Sequence, residues 1–115
     1  MEKFHGALLV RLANEKIFFG PGVVTLLKLT KELESLNAAS KKMNLSYSKA
    51  NKIIKSTEEA LKFKLLDRKI GGPNGGGSTL TPECIDFLKT FTAYEDELKE
   101  HSDLLFEKYF KKYQE

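Results

Sequence analysis

Cysteine, histidine and long apolar runs are scarce in this sequence. The single cysteine, Cys84, excludes an intrachain disulfide and fits a reducing cytosol. The two histidines, His5 and His101, stand far apart, and with one cysteine they make no zinc pattern. No Ser-His-Asp or paired-carboxylate constellation is visible by spacing. Catalysis is therefore not expected, and no cofactor or metal is called for. No apolar run approaches the roughly 20 residues needed to cross a bilayer. The N-terminus, Met1-Glu2-Lys3-Phe4-His5-Gly6, carries an early acid and leads into a short alternating run, not a signal-peptide core. The expectation is a cytoplasmic protein without a membrane partner.

At 115 residues the chain has room for one domain. A domain of that size buries a workable core without disulfides or metals. An apolar content of 41% with 30% charged residues argues against wholesale disorder. The net charge of +3 identifies no partner, but its distribution is uneven. From Ser40 to Ile70 nine Lys and Arg stand against three acids, whereas from Pro82 to Glu115 five Lys stand against nine acids. A basic centre suits phosphate, and an acidic tail suits something else.

Patterning divides residues 1–115 into the parts of a single domain. Residues 7–19 alternate around an Asn14-Glu15 turn and are predicted as a β-hairpin. Gly20-Pro21-Gly22 breaks the pattern, and proline favours the first turn of a helix. Three helices are expected within 22–62. The first ends near Ser35, and the second is capped by Asn37 and runs from Ala38 to Met43. The third is capped by Ser46 and runs from Tyr47 to about Lys62. Its apolar face is Ala50, Ile53, Ile54, Thr57 and Leu61. Ala39 and Ala50 are small enough to let the second and third helices cross closely. Residues 65–81 read as strand, glycine-rich loop and short return strand. Thr81-Pro82-Glu83 then has the signature of an N-cap, an N1 proline and a first-turn acid. A helix follows to near Tyr113. At about 1.5 Å per residue it measures roughly 45 Å, longer than such a domain is wide.

Two helices, a tight turn and a glycine loop between strands are the parts of a helix-turn-helix with a wing, an arrangement that places a helix in the DNA major groove. The polar face of the third helix carries Ser48, Lys49, Asn51, Lys52, Lys55 and Ser56. Asn matches the edge of adenine, Lys matches guanine or phosphate, and Ser serves either. The plain alternative is a solvated lysine-rich helix face. The loop Gly71-Gly72-Pro73-Asn74-Gly75-Gly76-Gly77-Ser78 lacks the lysine of a Walker loop and leads into a strand, not a helix. A wing whose glycines let the backbone approach a sugar-phosphate chain, with charge supplied by flanking Arg68 and Lys69, is the favoured reading. A floppy hairpin loop is the alternative to it.

Four stretches carry a family resemblance. They are Phe-Gly-Pro-Gly-Val-Val-Thr-Leu-Leu (19–27), Asn-Ala-Ala-Ser-Lys-Lys-Met-Asn-Leu-Ser-Tyr-Ser-Lys-Ala (37–50), Leu-Leu-Asp-Arg-Lys-Ile-Gly-Gly (65–72) and Gly-Gly-Gly-Ser-Thr-Leu-Thr-Pro (75–82). Over residues 7–110 the chain resembles the N-terminal DNA-binding domain of molybdate-dependent (ModE-type) transcriptional regulators, which share their helix-turn-helix with LysR-type regulators. The resemblance implies a homodimer held by the first and last helices. It also implies that Tyr47, Ser48, Lys49, Asn51 and Lys52 read DNA. One departure is that the family often carries Trp where Asn51 stands. Another is that the family continues into an oxyanion-binding domain, whereas this chain stops at Glu115, so molybdate binding is not implied.

The sequence thus leads to a mainly α fold with a small β component, an α+β winged helix-turn-helix with an N-terminal β-hairpin and a long C-terminal dimerisation helix. Double-stranded DNA would meet Ser46, Tyr47, Ser48, Lys49, Asn51, Lys52, Lys55, Arg68, Lys69, Asn74 and Ser78. Leu26, Phe87, Phe91, Tyr94, Leu98, Leu105 and Tyr109 would form the homodimer interface. The rival expectation is a protein-interaction module whose aromatic tail binds a separate sensor protein. A remote third is oxyanion binding by the glycine loop.

Overall fold

A computed structural model of the chain describes residues 3–69 and 77–114. The elements run β1 (Leu12–Ala13), β2 (Ile17–Phe19), α1 (Pro21–Leu33), α2 (Leu36–Lys42), α3 (Tyr47–Leu61), β3 (Leu66–Arg68), β4 (Ser78–Leu80) and α4 (Pro82–Phe110), closed by a 3₁₀ turn at Lys111–Tyr113. The fold is mainly α with two small antiparallel sheets, one pairing β1 with β2 and the other β3 with β4. It is a winged helix-turn-helix in which α2 and α3 are the paired helices and β3–β4 is the stem of the wing.

Several ends lie where side-chain chemistry directs them. Pro21 opens α1, and the α1–α2 joint turns on Glu34 in the left-handed region (φ 53°). The second helix starts two residues earlier than the Asn37 cap would place it. Ser35 is its cap, accepting the Ala38 N–H at 3.0 Å. That start puts Leu36, Ala39 and Ser40 on one buried face and leaves Asn37 outside. Ser46 caps α3 as expected, accepting from Lys49 N at 3.0 Å. Thr81 caps α4, accepting from Cys84 N at 3.0 Å and donating to the Lys64 carbonyl at 2.6 Å. One hydroxyl therefore joins the wing to the last helix; such caps contribute about 1 kcal/mol.

The hairpin is shorter than residues 7–19. Only 12–19 pair, around a turn in which Asn14 N donates to the Lys16 carbonyl at 3.1 Å. Upstream, Val10 is buried but Leu8 and Leu9 are exposed, so the apolar run has no sheet face to fill. It lies instead along the outer half of α4. Phe4 meets Phe106 and Phe110 edge-on at 5.6 and 6.2 Å, and Phe4 N donates to Gln114 Oε1 at 2.9 Å.

The core gathers Phe19, Leu26, Leu27, Leu36, Ile54 and Leu65, each at most 1% exposed. Phe19 projects from β2 between Phe87 and Phe91 of α4, with ring centroids 5.0 and 4.9 Å away in edge-on geometry. Thr57 Oγ1 ties α3 to the hairpin, donating to its own helix at Ile53 O (2.8 Å) and lying 3.2 Å from Phe18 O. The wing stem is anchored by Ser78 N donating to Glu34 O at 3.0 Å and by Leu65 N donating to the Glu58 carboxylate at 2.7 Å. Beyond this core α4 continues outward, and the molecule measures 62 × 30 × 23 Å.

Cys84 is fully buried in that core, and burial first, then the Glu58 carboxylate, push its thiol from the ordinary 9.0 up to about 11. The unfolded chain therefore ionises before the folded one. The stabilising contribution is complete below about 9 and is lost as pH rises through about 11. Compared with Cys84→Ala, the wild-type chain is expected to lose stability over that interval in urea denaturation. Iodoacetamide at about pH 8 is expected to alkylate the urea-unfolded chain and spare the native one. Equal labelling of both would refute the burial argument.

Candidate nucleic-acid interface

Helix α3 meets the core through Ala50, Ile54 and Thr57, all at most 1% exposed. At about 100° per residue, Ser48, Lys52, Lys55 and Glu59 project from the opposite side. All four are exposed, as are Ser46, Tyr47 and Lys49. The basic part of this face is the N-terminal two and a half turns, and Glu59 marks its far limit. Among the described residues the one ion pair is Lys99–Glu95 at 3.7 Å on α4. Lys49, Lys52, Lys55, Arg68 and Lys69 therefore have no carboxylate partner there. Their charge is open to an external anion.

The wing and the helix are physically coupled. Arg68, on β3, donates from Nη1 to the Tyr47 hydroxyl at 3.2 Å. The two residues lie 21 positions apart, and the bond sets the wing stem beside the first turn of α3. Lys69 is exposed, and its N–H closes the stem on Gly77 O at 2.9 Å. Asn74 and the glycines of the loop tip lie outside the described residues.

Three expected interface residues stand elsewhere. Asn51 is only partly exposed. It sits about 100° round α3 from Lys52, and its Oδ1 is sealed from solvent without a hydrogen-bond partner. Ser78 is 7% exposed, because it pairs with Arg68 across the wing stem and its backbone is fixed on Glu34. Leu26, expected at a dimer interface, is wholly buried on the inner face of α1, in the core of its own chain.

The expected dimer stripe on α4 divides in the same way. Phe91 is 4% exposed against Phe19, and Phe87 leans on Phe19 and Phe63. These rings fill the chain's own core, because β2 offers them a large aromatic to pack against. Leu98 is partly buried against the same core. Tyr94, Leu105 and Tyr109 are 50 to 60% exposed. Leu104, which the stripe omitted, is more exposed still at 66%. Apolar spacing alone signals a stripe but not which of its residues a neighbouring strand will cover.

The described residues contain no helix long and apolar enough to cross a membrane. Nor do they contain a group of three or more His, Cys, Asp or Glu able to hold a metal ion.

A Ser-capped basic helix crossing a second helix and bonded to a two-stranded wing stem is the arrangement of the winged helix-turn-helix class. The chain belongs to the lysR family of bacterial regulatory helix-turn-helix proteins, whose profile matches residues 24–84. It is similar to the transcriptional regulator ModE of Haemophilus influenzae, with 32% identity over 88 residues, covering 76% of this chain and 34% of that one. Among solved structures it is similar to ArgP from Mycobacterium tuberculosis, with a TM-score of 0.52 at 25% identity, covering 79% of this chain and 31% of that one. The chain thus spans about a third of the length of these relatives.

A buried acceptor without a partner destabilises a fold by about 1–3 kcal/mol. Asn51→Ala is accordingly expected to leave the thermal midpoint unchanged or to raise it. Calorimetry checks this. A clear fall would mean that the Asn51 amide is satisfied in the native state.

Proposed function

We propose that residues 1–115 act as one winged helix-turn-helix unit, a homodimeric, sequence-specific DNA-binding transcriptional regulator working in the cytoplasm. The observation that carries this reading is the open basic face of α3, free of carboxylate partners among the described residues and coupled to the wing through Arg68 and Tyr47. Ser48, Lys49 and Lys52, exposed on that face, are assigned to base edges. Lys55, Arg68 and Lys69 are placed for phosphates, which position the protein without reading sequence. The backbone N–H groups behind Ser46 add a phosphate contact at the helix start. Asn51 reaches a base edge only after its amide turns outward. In a dimer the two α3 helices would enter successive major grooves, about 34 Å apart on a two-fold-symmetric site.

Dimerisation is assigned to the outer flank of α4, where Tyr94, Leu105 and Tyr109 are exposed. The same exposed flank keeps a second reading alive, in which α4 docks a separate sensor protein.

Binding to duplexes selected from a random pool is expected to fall linearly in log K against log salt. Lys55→Ala is expected to reduce that slope by about one and to weaken all sequences. Fluorescence anisotropy across a salt series measures both, and a flat salt response would exclude the regulator reading. Sedimentation equilibrium is expected to show a dimer that Leu105→Glu converts to monomer. A wild-type monomer at every concentration would favour the sensor-docking alternative.

A further inference from the structure

A groove of about 590 Å³ runs beside α3, between its Lys49–Ser56 flank, strand β2, the start of α1 and the α2–α3 turn. Its volume falls within the roughly 300–1,000 Å³ typical of small-molecule sites. The floor and walls are apolar, with Ile17, Phe18, Val23, Met43, Leu45 and Ile53 among the lining residues. Ile17 is 52% exposed, an unusual state for a large apolar strand residue facing a hollow. The only charged residues in the lining are Arg11, Lys49 and Lys52. No acid lines the groove, and among the described residues none of the three cations is paired with one. Gly20 lets the Arg11 stem lie close. A Cβ there would stand 2.8 Å from Arg11 Cγ and push that side chain away.

An apolar hollow rimmed by one sign of charge is complementary to an amphipathic anion. We infer that this groove binds a small monoanion with an aliphatic or aromatic body, the body on Ile17, Met43 and Ile53 and the head on Arg11, Lys49 and Lys52. A DNA backbone matches the cations but leaves the apolar floor uncovered. A carboxylate suits Arg11, whose guanidinium can take it in a two-point bond. Lys49 and Lys52 are the cations assigned above to DNA, so the bound anion competes with DNA for them. The ligand then acts as an effector inside the DNA-binding unit itself. By linkage, DNA must weaken ligand binding by the same factor. The effector role rests on the proposed function; the binding site does not.

The test titrates the DNA-free chain with octanoate, with octan-1-ol as the uncharged body and acetate as the head alone, followed by amide NMR shifts. Octanoate is expected to saturate, with shifts gathered at Ile17, Val23, Lys49 and Ile53, and to bind at least about fivefold tighter than either fragment. Arg11→Ala and the surface change Ile17→Asp are each expected to weaken octanoate by at least about fivefold, while Lys108→Ala changes nothing. Circular dichroism confirms that each variant is folded. Equal binding of octanoate and octan-1-ol, shifts elsewhere, or undiminished binding by Ile17→Asp would overturn the site. So would conversion of a dimer to monomer by Ile17→Asp without octanoate binding, which would make the groove a contact between copies. In anisotropy, saturating octanoate is expected to weaken DNA binding several-fold in the wild type and not in Ile17→Asp. Octanoate binding by a chain that binds no DNA would overturn the regulator reading and leave the site standing.

Discussion

Ala39 and Ala50 are both fully buried where α2 meets α3, and the closeness of that crossing governs the working surface. A larger side chain at either position would separate the helices and tilt α3 relative to the wing. With alanine at both, the turn between them stays short. Leu45 N donates to Ser40 O at 2.9 Å, and Asn44 takes the left-handed conformation at φ 55°. Ser46 then restarts the helix. The orientation of α3 is therefore fixed by small residues and a capped turn, and its lysines are spared any role in packing. The Tyr47–Arg68 bond extends the same constraint to the wing.

Charge is distributed consistently with that geometry. The basic residues of α3 and β3 face solvent without carboxylate partners among the described residues, so no internal ion pair competes with an outside anion. Exposed ion pairs contribute little to stability in any case, so the fold gives up little by leaving these charges open. The acids Glu95, Asp96, Glu97 and Glu100 lie together on α4, and Lys99–Glu95 forms within that helix. Negative charge there would repel a phosphate backbone, in contrast to the open lysines of α3. Glu58 is the exception among the central acids. Its carboxylate accepts the Leu65 N–H at 2.7 Å and so fastens the start of the wing.

What could be read from the sequence is what depends on local chemistry. The Ser46 and Thr81 caps, the proline starts of α1 and α4, and the Ala50–Ile54–Thr57 face are set by residues within a turn or two of one another. The misplaced parts depend on long-range contacts. Ser35 and Asn37 are equally good caps in isolation, and the choice is made by whether Leu36 enters the core. Residues 7–12, apart from Arg11, are apolar with a weak alternation that suits a strand, but pairing ends at Leu12 because the segment follows α4 instead. Asn51 has the chemistry of a base reader, but its rotation about α3 turns Oδ1 inward. The groove beside α3 was invisible in the pattern because its walls come from four elements.

The apolar stripe on α4 is two strips, and the distinction decides what the helix has to offer. Cys84, Leu88 and Phe91 form one strip, buried on the domain core. At about 100° per residue, Ser102 and Phe106 continue the same line outward. There the N-terminal segment covers it: Gly6 lies close to both residues, and Phe4 sits edge-on to Phe106. Tyr94 and Leu105 form a second strip, about 80° round the helix, and Tyr109, in line with Phe91 but about five turns further out, borders it. Neither the core nor the N-terminal segment covers that flank, and all three residues stay at least half exposed. The first strip holds α4 to its own chain along most of its length. The helix is therefore stiff where the second strip begins, and a partner that docks on it does not first have to order the helix. A partner docked on that flank would meet a helix already braced by its own N-terminal segment.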